Sequence, residues 1–315
     1  MQRDILLSVA AGLLSAILYL SAKWGFPVAP FFALFTPLPL FAAGLGLGLI
    51  AGGGTALIAT IIVALVADLT VTREFSINYV VPVLLVVHFA LLNRTAEDGT
   101  TEWYPLGMLL AWITLFGIGT FTVLANFTGG GSEGLQAGMA SYVDTLRNLM
   151  VKSGGSNANL DQAFATLKLV IPFFIATGWL ITIVVNGILA QRMLELRGLN
   201  RRPRSDLRTT ALPPWLAGVM VAATVAALLG SGWLGTLGTN IALILCIPYF
   251  FVGLAVLHTV SAPWSGKSAI LITAYLFLLF ISWTAVLVTS VGFLEHWTGL
   301  RKRFGGPSPR NERKE

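Results

Sequence analysis

Residues 239–259 read TNIALILCIPYFFVGLAVLHT, a run of 21 residues that contains no aspartate, glutamate, lysine or arginine. A helix rises about 1.5 Å per residue, so about 20 apolar residues cross the roughly 30 Å hydrocarbon core of a bilayer. Three polar side chains interrupt this run, namely Asn240, Tyr249 and His258. The stretch therefore predicts a transmembrane helix.

The rest of the chain repeats this pattern. Of the 315 residues, 56% are hydrophobic and only 11% are charged, whereas a soluble domain carries about 25% charged residues. The alternation expected of a transmembrane β-strand is not seen, which leaves helices as the spanning element. The sequence predicts an all-α, polytopic transmembrane helix bundle. Its nine apolar segments are 5–22, 28–51, 52–69, 77–92, 105–124, 165–191, 214–229, 239–259 and 268–293.

Arginine and lysine positions predict the orientation of the bundle. Six arginines lie in the link 192–213, and further basic residues follow Trp297. Basic segments stay preferentially on the cytoplasmic side. Six helices precede the link, so the N-terminus is expected to be cytoplasmic too. Three crossings after the link would put the basic tail outside, so we expect the shortest segment, 214–229, not to cross. This gives eight spanning helices with both termini cytoplasmic; nine is the alternative.

The same features divide the chain into four parts. They are a six-helix membrane bundle at 1–194, a basic cytoplasmic link at 195–213, further membrane helices at 214–294 and a basic cytoplasmic tail at 295–315. Within the first part, apolar residues at three- and four-residue steps predict an amphipathic segment at 125–164 on the outer side. It would act either as a lid or as a plain shield for the bundle.

Several kinds of chemistry find no support in the sequence. Phosphate-binding loops, nucleophile elbows and metalloprotease motifs are absent, and the single cysteine, Cys246, excludes an intrachain disulfide and a cysteine metal cluster. We therefore expect no catalytic residues, metal or cofactor, and a protein that is not an enzyme. The net charge of +6 lies at helix ends and in the tail, which favours contact with lipid over nucleic acid. An intramembrane enzyme that acts on lipid is the remaining, weaker alternative.

Small residues recur at a spacing of four, which places them on one helix face and lets a neighbouring helix approach closely. The helix-packing candidates are Ser8, Gly12 and Ala16 in the first segment, and Gly44, Gly48 and Gly52 at the end of the second segment and the start of the third. The partner of the first set is either another helix of this chain or a second membrane protein. The triplet Gly52-Gly53-Gly54 is expected to form the tight turn between the second and third segments.

Pro37 and Pro39 predict a break or kink in the second segment, because proline lacks an N–H donor and clashes with the preceding turn. Broken membrane helices expose backbone groups that need partners, and they often mark binding sites in transporters. Polar groups elsewhere in the spans are candidates to share that site. The ligand-binding candidates are Pro37, Pro39, Asp68, Asn78, His88 and Asn186. The alternative is that each polar group is satisfied separately, with Asn78 capping a helix and His88 joining two helices.

With these residues in view, the chain resembles the YybS-like family of uncharacterised bacterial multi-spanning membrane proteins over most of its length. The resemblance implies a bacterial cytoplasmic membrane location. Four stretches of sequence carry the resemblance. They are Thr36-Pro37-Leu38-Pro39 with the glycine-rich helix pair up to Ala67-Asp68, Asn186-Gly187-Ile188-Leu189-Ala190, Asn240 with Gly253-Leu254-Ala255-Val256, and Gly292-Phe293-Leu294-Glu295-His296-Trp297 leading into Arg301-Lys302-Arg303.

The region from Pro37 to Asp68 is also similar to the S subunits of energy-coupling-factor vitamin transporters. Those subunits bind a small molecule and dock on an energising module through small residues of their first helix, a role that Ser8, Gly12 and Ala16 would match. The longer C-terminal part and the absence of a vitamin-specific residue set depart from that family.

Two functions follow as hypotheses. The first is a small-molecule binding or transport component, which the resemblance implies. The second is a membrane scaffold or assembly factor that works through helix packing and its basic segments. A ligand-sized cavity near Pro37, Asp68, His88 and Asn186 would favour the first, and a packed interior there would favour the second.

Overall fold

The computed structural model describes residues 2–22, 28–127, 143–144, 147–148, 158–203, 206–281 and 283–304. The chain divides into two compact units, one of Met1–Phe116 with Gly178–Ser205 and one of Gly117–Thr177 with Asp206–Glu315. Helices dominate both, so the predicted all-α class is confirmed. The amphipathic segment predicted at 125–164 and the end of the basic tail, 305–315, lie largely outside the described residues.

The first unit contains six helices in sequence before a short hairpin. They are α1 Gln2–Ser21, α2 Ala29–Ala33, α3 Pro37–Leu47, α4 Leu49–Val66, α5 Leu69–Phe75 and α6 Val81–Leu91, with a π-helical turn at Ser76–Val80 between the last two. Helix α7, Leu106–Phe127, begins in this unit, and helix α8, Ala158–Leu196, ends in it. The core forms where α1 packs on α3 and α4, and α3 packs on α6.

The second unit is described mainly by the helices after the link. They are α9 Pro214–Leu229, α10 Gly232–Val260, α11 Lys267–Phe280, α12 Thr284–Thr298 and α13 Leu300–Phe304. A 3-10 turn at Leu207–Thr209 precedes them. The long helix α10 packs against α9 on one side and α12 on the other. The segment predicted as one span at 268–293 is in fact two helices, because the backbone leaves the helical conformation at Ile281.

Six of the described helical stretches are long and apolar enough to cross a membrane. They are Gln2–Ser21, Ala29–Leu47, Leu49–Val66, Leu69–Leu91, Phe173–Leu196 and Gly232–Val260. Three apolar helical stretches are shorter. They are Leu106–Thr120, which is the first part of α7, Pro214–Leu229 and Lys267–Phe280. Eight crossings would need two of these three to span as well, and nine would need all three. The segment 214–229, which we expect not to cross because it is the shortest of the three after the link, is among the short ones.

The predicted break in the second segment is present. Helix α2 ends at Ala33, a turn covers residues 34–36, and α3 begins at Pro37. Both prolines lie in the first turn of α3, where the missing N–H donors have no helical acceptor in any case. The sequence therefore restarts the helix at Pro37 rather than bending it.

The turn between the second and third segments is not where the glycine triplet predicts it. Gly48 separates α3 from α4 with a φ of 104°, a conformation that L side chains rarely adopt. Gly52, Gly53 and Gly54 lie inside α4. The prediction that Gly44, Gly48 and Gly52 share one helix face is therefore wrong. Instead Gly44 and Gly52 belong to successive helices, and a Cβ added to Gly52 would lie 2.8 Å from the Cα of Gly44.

The sequence analysis also missed a two-stranded antiparallel hairpin after α6. It consists of β1 Asn93–Thr95 and β2 Thr101–Trp103, with Arg94 opposite Glu102 at 2.7 Å. Gly99, with a φ of 79°, forms the turn with Asp98. The sequence does contain a signal for this hairpin, namely the turn dipeptide Asp98-Gly99 between two threonine-containing stretches. A search for membrane-spanning segments does not detect it.

Candidate functional site

Two carbonyl groups at the helix break accept hydrogen bonds from side chains of two other helices. The amide of Asn186, on α8, donates 2.8 Å hydrogen bonds to the carbonyls of Leu34 and Thr182. The hydroxyl of Ser15, on α1, donates a 2.8 Å bond to the carbonyl of Thr36. Ser15 and Thr36 are fully buried, and Asn186 is 3% exposed. The break is thus held closed by side chains from neighbouring helices.

Two polar side-chain atoms at the break form no hydrogen bond. The Oγ1 of Thr36 and the Oδ1 of Asn186 are buried and have no hydrogen-bond partner in the described part of the chain. Such atoms cost free energy when no water or ligand reaches them.

The other predicted ligand-binding residues are not gathered around the break. Asp68 is exposed and caps α5 by accepting a 2.9 Å bond from the backbone N–H of Val71. Asn78 donates to the carbonyl of Glu74 in its own helical turn, and His88 is exposed. In the described part of the chain, Asn186 alone of Asp68, His88 and Asn186 reaches the break. The prediction that two of the three line a cavity with it is not supported.

The small face of α1 lies against α4. A Cβ added to Gly12 would lie 2.8 Å from the carbonyl oxygen of Thr55. Ser8 and Ala16, one turn away on either side, are buried with Gly12. The face is therefore occupied by a helix of this chain, and the outward face of α1 carries larger apolar residues such as Leu14.

The arginines of the link do more than provide positive charge. Arg202 is 6% exposed, and its guanidinium donates to the carbonyls of Ala90 (3.1 Å) and Tyr104 (2.9 Å). Arg201 donates a 3.0 Å bond to the carbonyl of Gly46 near the end of α3. Cations at helix C-termini satisfy the last carbonyls and complement the helix dipole. Burial lowers the pKa of Arg202 from its ordinary value.

A cavity of about 320 Å³ lies in the second unit, at the end of α12. We call it the tail cavity. It is lined by Ala211, Leu212 and Pro213 before α9, by Tyr249 and Val252 of α10, and by Gly292, Glu295, His296, Trp297, Thr298, Gly299, Arg301 and Lys302 around the end of α12. A second cavity, of about 210 Å³ near Leu257 and Trp264, has a mainly apolar lining.

An ion pair forms one wall of the tail cavity. Gly299, with a φ of 58°, ends α12 in the left-handed conformation and lets the chain turn back. Arg301 consequently lies 2.9 Å from the carboxylate of Glu295, whose side chain is 7% exposed. The same guanidinium donates 2.8 Å bonds to the carbonyls of Arg208 and Thr210. Arg301 thereby holds the link beside the cavity.

Two cavity-lining residues keep free polar groups. Tyr249 is 2% exposed, and its hydroxyl has no hydrogen-bond partner among the described residues. Lys302 is exposed, and its ammonium group forms no ion pair in the part of the chain that the structure describes. Neither group is engaged elsewhere in the described residues, so both are available to a molecule that enters the cavity.

The floor of the tail cavity is fixed by close packing of α10 and α12. A Cβ on Gly292 would collide with the carbonyl oxygen of Tyr249, and one on Gly253 with that of Val288. Only glycine permits this approach of two backbones. From the sequence alone, these glycines and the run Glu295-His296-Trp297 only supported a family resemblance. They belong to one site because α10 and α12 approach each other closely in the folded structure.

The fold defines a multi-pass helical membrane protein. No cluster of three histidine, cysteine or acidic side chains that could hold a metal ion is found in the described residues. The chain belongs to a family of predicted membrane proteins, DUF2232, which it matches over residues 13–295. No curated protein and no solved structure matches it significantly.

Proposed function

We propose that this membrane protein binds a small molecule in the tail cavity of its second unit. The observation that carries the proposal is the hydroxyl of Tyr249, which forms no hydrogen bond in the described part of the chain although the residue is only 2% exposed and lines a cavity of about 320 Å³. That volume falls at the lower end of the range for ligand pockets, which combine apolar walls with a few convergent polar groups. Here the apolar wall is formed by residues such as Val252 and Leu212, and the polar groups lie at the end of α12.

A transport role is the more specific form of this proposal. The resemblance of residues 37–68 to S subunits suggests it, but the tail cavity lies in the C-terminal part by which this chain departs from those six-helix proteins. The polar groups at the helix break support transport less, since Asn186 and Ser15 use their donors on backbone carbonyls. Binding is therefore the part of the proposal with the stronger physical basis.

Native mass spectrometry of the full chain, purified from its host membrane, tests the proposal. We expect a small molecule or lipid to remain bound to the wild-type protein. Ala211→Trp should abolish its retention, because Ala211 lines the cavity from an exposed position and an indole there fills the space. Ala211→Ser is the matched control and should retain the molecule. Equal retention by all three proteins would place the ligand elsewhere and contradict the proposal.

A membrane scaffold is the second candidate function, and the first unit favours it. Its polar side chains and glycines are used for internal contacts, as Gly12 on Thr55 and Asn186 on Leu34 illustrate. A photo-crosslinking residue at Leu14, on the outward face of α1, tests this function in native membranes. A specific protein adduct from Leu14 that is missing from the buried position Ser15 would support the scaffold, and lipid adducts alone would count against it.

A further inference from the structure

We infer that the tail cavity takes a phosphate-bearing ligand, held by Lys302, the hydroxyl of Tyr249 and the positive end of α9. The inference rests on the proposed function and names the chemistry of its ligand. Four observations carry it: the sign of the charge at the cavity, the dipole of a neighbouring helix, the tyrosine hydroxyl without a partner, and the position of the cavity beside interfacial residues.

The charge at the cavity favours an anion. Two cationic side chains, Arg301 and Lys302, line it together with one carboxylate, Glu295. Arg301 neutralises Glu295 in a largely buried pair at 2.9 Å, so the carboxylate is not left to attract a cation. The charge of Lys302 remains in excess. Lysine is a common ligand of phosphate because its ammonium is a compact charge with three donors.

Helix α9 adds to this potential. Ala211, Leu212 and Pro213 line the cavity, and Pro213 directly precedes Pro214, the first residue of this 16-residue helix. The N-terminus of a helix carries about half a positive charge, which stabilises a nearby anion. The carbonyl contacts of Arg301 to Arg208 and Thr210 keep this segment at the cavity.

The remaining polar groups fit phosphate oxygens as acceptors. The hydroxyl of Tyr249, which forms no hydrogen bond within the described residues, can donate to one of them. Trp297 lies at the rim with 58% of its surface exposed, and tryptophan is enriched at the headgroup level of membranes. The cavity is thus lined both by an exposed tryptophan and by Tyr249, a residue with little exposed surface. A lipid headgroup and a soluble phosphate ester share the required chemistry, and the experiment separates them.

Native mass spectrometry of the delipidated full chain tests the inference with matched probes. Dioleoyl-phosphatidylglycerol and dioleoylglycerol have the same acyl chains and differ in the phosphoglycerol group. Glycerol 3-phosphate and inorganic phosphate represent the soluble source. We expect phosphatidylglycerol to remain bound to the protein and dioleoylglycerol to dissociate from it. Lys302→Ala should weaken binding roughly tenfold, the effect of losing one charge-assisted hydrogen bond, and Tyr249→Phe should weaken it a few-fold.

Arg303→Ala is the matched control, since Arg303 is the next basic residue and does not line the cavity. It should bind as the wild-type protein does. Competition by glycerol 3-phosphate or inorganic phosphate would identify a soluble ester as the ligand, and binding of the lipid without such competition would identify a headgroup. Both outcomes support phosphate recognition.

Two results would overturn the inference, and they differ in what they leave standing. If a molecule without phosphate is retained and Ala211→Trp releases it, the ligand class is wrong while the proposed function holds. If no probe and no native molecule responds to Ala211→Trp, both fail. Equal losses in Lys302→Ala and Arg303→Ala would show that general surface charge, and not the cavity, attracts the anion.

Discussion

The side-chain amide of Asn186 donates a 2.8 Å hydrogen bond to the carbonyl of Leu34, a residue 152 positions earlier in the chain. This contact links α8 to the turn that breaks the second membrane segment. The carbonyl of Leu34 has lost its helical donor, and hydrocarbon offers none. The broken helix is therefore stable because another helix supplies the missing donor.

Asn186→Leu should destabilise the protein by about 1–2 kcal/mol, because it removes the donor of a part-buried hydrogen bond to the carbonyl of Leu34. Thermal unfolding in detergent, monitored by circular dichroism, gives the change. Thr182→Val is the control, because the hydroxyl of the half-buried Thr182 donates to the carbonyl of Gly178 in its own helix. An equal melting temperature for Asn186→Leu and the wild-type protein would show that the contact contributes nothing.

Gly12→Ala should destabilise the bundle by about 1–3 kcal/mol, since the added methyl would overlap the Thr55 carbonyl and force α1 away from α4. Gly53→Ala is the matched variant. Gly53 lies within α4 with no atom in reach of an added Cβ, so helix propensity should make this change neutral or stabilising by up to about 1 kcal/mol. The melting temperature of Gly12→Ala should fall, and that of Gly53→Ala should stay the same or rise. A shift of the same size and direction in both would rule out the close contact.

Arg301→Gln should cost about 3 kcal/mol, because it leaves the buried carboxylate of Glu295 without its cation. The double variant Glu295→Gln/Arg301→Gln should recover part of the loss, since no unpaired charge then remains. Arg303→Gln, at an exposed position, should change stability by less than about 0.5 kcal/mol. Chemical unfolding of the four proteins in mixed micelles measures the coupling. If the double variant is no more stable than Arg301→Gln alone, the two side chains do not form an energetic pair.

The hairpin at 93–103 and the link that carries Arg202 should lie on one side of the membrane, because Arg202 bonds to the carbonyls of Ala90 and Tyr104. Cysteines placed at Asp98 and Arg197 in a Cys246→Ser background should react with an impermeant maleimide from the same side. The arginine count predicts the cytoplasmic side. Reaction from opposite sides would contradict the fold of the first unit.

Reporter fusions after Arg204 and after Arg313 test the number of crossings. Eight crossings place both fusion points in the cytoplasm, and nine place them on opposite sides. We expect the short helix Pro214–Leu229 to account for the difference, because its 16 residues rise about 24 Å, less than the roughly 30 Å core.

The spanning helices and the break at Pro37 were predictable from sequence, because both follow from local rules. Apolar length determines a span, and proline cannot donate an N–H wherever it lies. The turn at Gly48 was misplaced because three successive glycines give a stronger local signal than one. What selects Gly48 is the contact between Gly44 and Gly52 across the two helices, and that contact exists only in the folded structure.

The candidate site could not be predicted in the same way. Polar residues inside apolar runs attract attention, yet Asp68 caps a helix and His88 is exposed. Their roles depend on helix rotation, which a one-dimensional pattern does not determine. Conversely, Arg301 and Lys302 look like orientation signals at a chain end. Their part in a cavity depends on the turn at Gly299 and on the approach of α12 to Tyr249.

An experimental structure of the full chain, purified without delipidation, tests most directly whether a small molecule occupies the tail cavity. We expect density that is not continuous with the polypeptide, in contact with the ammonium of Lys302 and the hydroxyl of Tyr249. A cavity occupied only by water, or filled by the chain's own residues after Phe304, would contradict it.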